Sequence, residues 1–312
     1  MSGRAEDRDL AVELVNGFNL TYGVHAGHRA AHAKGVLCAG TFSATSDAAK
    51  HSRAAHLQGG ETRVHVRFSN GSGNPTLPDG KRDGRGMAVK FYLPDGSTTD
   101  IVTVTLPAFF VRTPAELIEF NDARRPDPAT GKPDMAKVGA FLQEHPETLP
   151  AAAAAVAMPF AASFAQLTYN ALHAFELVGA DGSRRHVRYH LVPDAGDASI
   201  TEEDAAGRDP DFLQQELAQR LESGPVAFHL DTTVAADGDP VDDPTTIWPE
   251  ERERVRLGTL QITGLAFDRE RDGDILVFDP TRVTDGIKLT DDQILLARKA
   301  AYSESVRRRT QT

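Results

Sequence analysis

Gly86-Met-Ala-Val-Lys-Phe-Tyr92-Leu-Pro94-Asp95-Gly96-Ser-Thr-Thr-Asp100-Ile-Val-Thr-Val-Thr105 reads as two strands around a tight turn. Pro94-Asp95-Gly96 carries the turn chemistry, and the flanking runs 86–92 and 100–105 have the composition of strands. Upstream, Arg63-Val-His-Val-Arg-Phe-Ser69 alternates polar and apolar residues. Downstream, His173–Val178 and His186–Val192 flank Asp181-Gly182, a second hairpin signal. Val36–Ser43, Pro225–His229 and Leu257–Thr263 complete about eight strands, mostly antiparallel, which suits a barrel. Helical stretches interrupt them at Pro114–Asn121, Met135–Glu144, Pro150–Ala171 and Asp211–Ser223. The segments 122–134, 194–210 and 233–250, rich in Asp, Gly and Pro, read as loops. The expected fold is α+β: an eight-stranded antiparallel β-barrel with surrounding helices. No internal repeat or linker stands out, so residues 1–312 are read as a single domain.

The charge balance narrows the partners. A net charge of −11 argues against nucleic acid and anionic membrane surfaces. The single cysteine, Cys38, rules out an intrachain disulfide. Five of the first ten residues are charged and no apolar signal core follows, so a cytoplasmic location is expected. The apolar stretch Pro150–Ala165 is mostly alanine and contains Pro159. It is shorter than the roughly 20 residues of a spanning helix, so no membrane segment is expected.

Three segments carry side chains suited to chemistry. Thr290 to Arg309 reads as a helix, with Thr290 and Gln293 at capping-box spacing and Asp291 and Asp292 at its positive end. Leu295, Arg298 and Tyr302 share one face of it. A guanidinium beside a phenol favours the phenolate, which can ligate ferric iron, while a tyrosine packed at the core rim is the plainer reading. The run Arg307–Arg309 is a cationic helix end. In His25-Ala-Gly-His28-Arg29-Ala-Ala-His32, a helix would stack three histidines as a metal site, but Gly27 weakens a helix there. In Val66-Arg67-Phe68-Ser69, period two puts Arg67 and Ser69 on one face with His65 and Arg63. That face is either a solvated barrel surface or a place where serine orients a histidine and arginine binds an anion.

Taken together, Arg29-Ala-Ala-His32-Ala-Lys-Gly35, Val66-Arg67-Phe68-Ser69, Arg82-Asp-Gly-Arg-Gly-Met-Ala-Val-Lys-Phe-Tyr92, Pro107-Ala-Phe109-Phe-Val-Arg112 and Arg298-Lys-Ala-Ala-Tyr302 resemble the haem catalase family. Val187–Pro193 and Phe278-Asp279-Pro280 extend the likeness, which runs from about residue 17 to 309. Tyrosine is the axial ligand known for that family.

The resemblance implies a haem b cofactor, with Tyr302 as iron ligand and Arg298 as its partner. It implies His32 as the distal acid–base residue oriented by Ser69. Arg29, Arg67 and Arg309 match the arginines that hold the haem propionates, Phe109 lies in a cofactor-binding motif, and His190 matches a proximal-side histidine. The chain departs from the family at Val104, which stands where a distal asparagine is expected. It departs again at Gly71, where a channel-narrowing valine is expected, and at Leu117, where a phenylalanine stacks near the haem. The family's long N-terminal arm and the region after the ligand helix are not recognisable. These features resemble the short catalase-related peroxidase group. The implied activity is reduction of organic hydroperoxides by a small-molecule electron donor, with weak or no catalase activity. A catalase of low activity and a non-catalytic haem carrier or sensor are the alternatives. A monomer or small homo-oligomer is expected.

Overall fold

The computed structural model describes residues 2–267 and 275–311. Its strands are β1 (Gly35–Ala44), β2 (Glu61–Asn70), β3 (Arg85–Tyr92), β4 (Thr98–Val104), β5 (Phe160–Ala161), β6 (Tyr169–Asn170), β7 (Phe175–Val178), β8 (Arg184–Pro193), β9 (Ser199–Ile200), β10 (Val226–Val234), β11 (Arg254–Leu265) and β12 (Ile287–Leu289). Eight of them close an antiparallel barrel in the order β10-β11-β1-β2-β3-β4-β6-β8, sealed by the β8–β10 pairing. The 94–96 turn forms as its chemistry dictates. Gly96 adopts φ 84°, which favours glycine, and the Asp95 carboxylate accepts the Ser97 N–H at 2.9 Å.

Period two decides what fills the barrel. Val64, Val66 and Phe68 on β2 are fully buried, as are Met87 and Val89 on β3. Phe68 packs on Phe164 at 5.6 Å and Phe42 meets Phe91 edge-on at 5.3 Å. The opposite face of the sheet carries an aligned row across successive strands: Gly35, Ser69, Gly86, Val104, Asn170 and His190. Residues directly opposite in adjacent antiparallel strands point the same way, so this row presents one continuous outer surface.

The helices are α1 (Ser2–Tyr22), α2 (Ala48–His51), α3 (Pro114–Ala123), α4 (Met135–Glu144), α5 (Leu149–Ala157), α6 (Glu202–Gly207), α7 (Phe212–Ser223) and α8 (Gln293–Thr310). A second apolar cluster, separate from the barrel core, joins Leu14 of α1, Leu117 and Phe120 of α3, Phe141 of α4 and Ile294 of α8. α1 also grips the far end of α8, because Arg308 donates to Asn16 Oδ1 at 2.9 Å and to the Val12 carbonyl at 3.3 Å. Among the described residues no helix is long and apolar enough to cross a membrane.

Four details differ from the sequence reading. Residues 175–178 form a flap paired with β8 and β12, and the eighth barrel position is taken by the two-residue β6. The helix expected over 150–171 stops at Ala157, before Pro159, and only a single 3-10 turn, Phe164–Gln166, follows. α8 is capped by Asp292, whose carboxylate accepts the Leu295 N–H at 3.0 Å, while the Thr290 hydroxyl donates to the Ala174 carbonyl. α1, α2 and α6 were not anticipated.

Candidate active site

His32 stands outside the barrel, over the outer row. No helix forms over 23–34, so His25, His28 and His32 are not stacked, and His25 instead bonds the Tyr22 carbonyl. His32 is the one non-glycine residue among those described with positive φ, at 55°. Such a conformation is held by its surroundings. Its N–H donates to the Gly71 carbonyl at 3.1 Å, its carbonyl accepts from Arg67 Nη1 at 3.0 Å, and its Nδ1 meets Ser69 Oγ at 3.0 Å. Two residues on, Lys34 is anchored by buried Asp79 at 2.9 Å and by the Pro210 carbonyl at 2.6 Å. Arg67 also donates to the Ala33 carbonyl, so the arginine clasps the histidine segment from below.

Gly86 makes room for the imidazole. A Cβ there would lie 2.8 Å from Ser69 Oγ and 2.9 Å from His32 Nδ1 and Cε1. The residue is half-buried. Burial first, then the charges of Arg67, Arg298 and Arg29, lower its pKa to about 3. That places Arg298 of α8 and Arg29 close enough to act on the same imidazole. Arg29 is tied by a 3.0 Å bond to the Leu276 carbonyl, and Arg309 is buried near the end of α8.

On α8 the expected pair is made. Arg298 donates through both Nε (3.1 Å) and Nη2 to the Tyr302 phenol oxygen. The third contact was not foreseen. Arg298 Nη1 bonds His173 Nε2 at 3.0 Å, and His173 Nδ1 bonds Asp292 Oδ2 at 2.6 Å. Burial is the leading cause that depresses the His173 pKa. A neutral ring donating from Nδ1 to the carboxylate and accepting at Nε2 satisfies every partner. A four-residue chain, Asp292–His173–Arg298–Tyr302, therefore fixes the phenol. His190, the histidine expected on this side, lies elsewhere. It bonds Asn170 Oδ1 and Thr233 Oγ1, each at 2.8 Å, on the barrel wall.

Phe109 lies beside this chain, its ring 6.4 Å from that of His173. Its N–H donates to the Pro244 carbonyl, in a loop held by Arg188 through the Asp243 and Thr246 carbonyls. Val104 occupies the outer row opposite Gly86, so its methyl groups share the face used by His32 and Ser69. Gly71 does not open a free space. The Asp83 carboxylate and the Gly84 carbonyl would stand 2.9 and 3.0 Å from any Cβ there. Leu117 is buried in the α1–α3–α8 cluster. Glu116, His145 and Glu147 bring three donors within 4.8 Å, but Glu116 caps α3 and Glu147 pairs with Arg112 at 2.9 Å, so they serve the local fold.

A phenol gripped by a guanidinium that a neutral imidazole backs is able to ligate ferric iron, as the axial tyrosine of catalases does. The chain belongs to the catalase family, whose sequence model matches residues 24–312. It is 46% identical over 305 residues to a catalase-related peroxidase of Mycolicibacterium paratuberculosis, covering 97% of this chain and 94% of that protein. It is 34% identical over 298 residues to a catalase-related peroxidase of Synechococcus elongatus, covering 96% and 88%. The fold superimposes on the crystal structure of a fungal catalase with a TM-score of 0.81 at 25% identity, covering 91% of this chain. The chain spans 59% of that larger structure. Membership of this family implies haem binding.

Proposed function

We propose that the chain is a haem b peroxidase that reduces organic hydroperoxides. The carrying observation is the chain from Asp292 through His173 and Arg298 to Tyr302, which leaves the phenol oxygen as an acceptor of two guanidinium N–H groups. The residues suit the cofactor: Tyr302 would ligate the iron, Arg29, Arg67 and Arg309 would meet the propionates, and Phe109 would pack beside the macrocycle. When bound, the haem supplies the Lewis-acidic, redox-active iron at which an O–O bond is cleaved.

The protein's own part is proton handling and positioning. Ser69 holds His32 Nδ1, which directs Nε2 toward the peroxide. There the neutral imidazole takes the O–H proton and returns it to the leaving oxygen. Its low pKa keeps it unprotonated at ordinary pH, and propionates placed on Arg29 and Arg67 would offset two of the charges that depress it. Val104 offers no hydrogen bond to a peroxide oxygen, whereas an amide there would. Loss of one such preorganised donor costs on the order of 10²–10³ in rate, so oxygen release from hydrogen peroxide is expected to be weak.

The test is steady-state turnover of haem-loaded protein. Dye oxidation driven by cumene hydroperoxide, with little oxygen evolved from hydrogen peroxide, supports the reading. Rapid oxygen evolution without dye oxidation assigns a catalase, and inactivity in both assays assigns a carrier. We further read residues 1–312 as one domain acting in the cytoplasm.

A further inference from the structure

A cavity of about 320 Å³ reaches the outer row at Asn170, the strand partner of Val104. Asp83, Arg85, Thr105 and Asn170 form one wall, and none of His32, Ser69, Val104 or Tyr302 lines it. The wall is nonetheless built from the immediate neighbours of the site. Arg85 precedes Gly86, Thr105 follows Val104, and Asn170 pairs directly with Val104. Asp83 presses on Gly71, whose carbonyl holds the His32 N–H.

This wall is fixed in place. The Asn170 amide is oriented by His190, which bonds its oxygen at 2.8 Å, while its nitrogen donates to the Leu106 carbonyl at 3.3 Å. The Thr105 hydroxyl bonds the Arg85 N–H at 3.1 Å and approaches Met158 Sδ at 3.7 Å. The lining also includes the apolar Met158 and Leu167, and Asp197, whose carboxylate accepts from the Thr168 hydroxyl at 2.9 Å.

A hydroperoxide must bring its oxygen within hydrogen-bond reach of His32, which this cavity does not offer. An electron donor has no such requirement, because its electrons can pass through the residues between it and the site. Charge narrows the donor further. Two carboxylates, Asp83 and Asp197, edge the cavity, against one guanidinium, Arg85, 3.7 Å from Asp83. That balance disfavours anions. The volume, at the lower end of ligand pockets, suits a single substituted ring.

We propose that this cavity docks the reductant, an uncharged or cationic one-ring aromatic amine or phenol, and passes its electrons to the site through the outer row. The inference rests on the peroxidase reading. For an amine the overall reaction is ROOH + 2 ArNH₂ → ROH + H₂O + 2 ArNH•. The O–O bond breaks, and each amine gives one electron and one proton.

Ala198 also lines the cavity and belongs to no part of the catalytic machinery. Ala198→Trp fills the space. Its KM for o-phenylenediamine is expected to rise about tenfold or more, equivalent to about 1.4 kcal/mol of lost binding. The rate constant for reaction with cumene hydroperoxide, read by stopped flow before reductant is added, is expected to stay unchanged. Asp197→Lys keeps the cavity open and reverses one charge, so KM should rise for o-phenylenediamine and fall for the dianionic dye ABTS. Soret absorbance and thermal melts establish that both variants fold and load haem. Unaltered reductant KM in both variants overturns the inference alone, as does a slowed peroxide step with unaltered KM. Failure of the wild-type protein to turn over hydroperoxide removes the peroxidase reading and the inference with it.

Discussion

Gly86→Ala tests the distal geometry with a single methyl group. The new Cβ would stand 2.9 Å from His32 Nδ1 and Cε1 and 2.8 Å from Ser69 Oγ, where ordinary contact begins at 3.4 Å. The backbone of β3 is paired on both sides and cannot retreat, so the imidazole must move by about 0.5 Å, the difference between 3.4 and 2.9 Å. Overpacking of this kind costs ~1–3 kcal/mol of stability. Strain on the His32–Ser69 bond adds at most ~0.5–1.5 kcal/mol. Catalysis should suffer more than stability, because a displacement of ~1 Å at a reacting group costs on the order of 10² in rate. The expected outcome is a loss of roughly 10–10²-fold in kcat/KM for cumene hydroperoxide, with haem content retained. Gly84→Ala, two residues away, has nothing within 4 Å of its Cβ and serves as the control, with activity unchanged. If Gly86→Ala keeps half or more of wild-type turnover, His32 does not work in the position assigned to it.

Three further outcomes are expected. Val104→Asn, which places an amide in the outer row beside His32, should raise oxygen evolution from hydrogen peroxide by up to on the order of 10²-fold, measured with an oxygen electrode. His173→Leu removes two bonds to charged partners and should destabilise the protein by about 3 kcal/mol or more in urea titration, with His173→Gln recovering part of the loss. The third outcome concerns acid. His32, His56 and His190 have pKa values lowered to about 3, 4 and 4 from an ordinary 6.5. The unfolded chain therefore takes up protons near pH 6.5 while the folded chain does not. Their contribution to stability is whole above that pH and falls away between 6.5 and about 3. Replacing His56, which packs on Phe91 at 4.7 Å, by leucine should flatten this decline, and acid titration followed by circular dichroism reads it directly.

The barrel was legible because its long strands alternate cleanly, as in Arg63–Ser69 and Gly86–Tyr92. Its eighth strand was not, because Tyr169 and Asn170 are too short to carry a period. The more regular run at 175–178 drew the assignment instead. α1 had a readable signal in Leu10, Ala11, Leu14, Val15 and Phe18, spaced as one helical stripe, but its dense charges masked it. At the site, Arg298 and Tyr302 are four residues apart, so local spacing exposes them. His173 reaches Arg298 and Asp292 across 125 and 119 residues, a contact no local pattern encodes. His190 attracted the proximal assignment through its strand motif, yet the register sends it to the barrel wall beside Asn170. At Gly71, where a channel-narrowing valine was expected, Asp83 and Gly84 leave no room for a Cβ.

Everything proposed for the site requires that Tyr302, held by Arg298, bind a haem iron. The direct measurement is the absorption spectrum during titration with ferric haem, for the wild-type protein and for Tyr302→Phe. A saturable Soret band with the signature of a phenolate-ligated ferric haem is expected in the wild type, and loss or displacement of that signature in the variant. No Soret band in the wild type, or identical spectra for the two proteins, would contradict it.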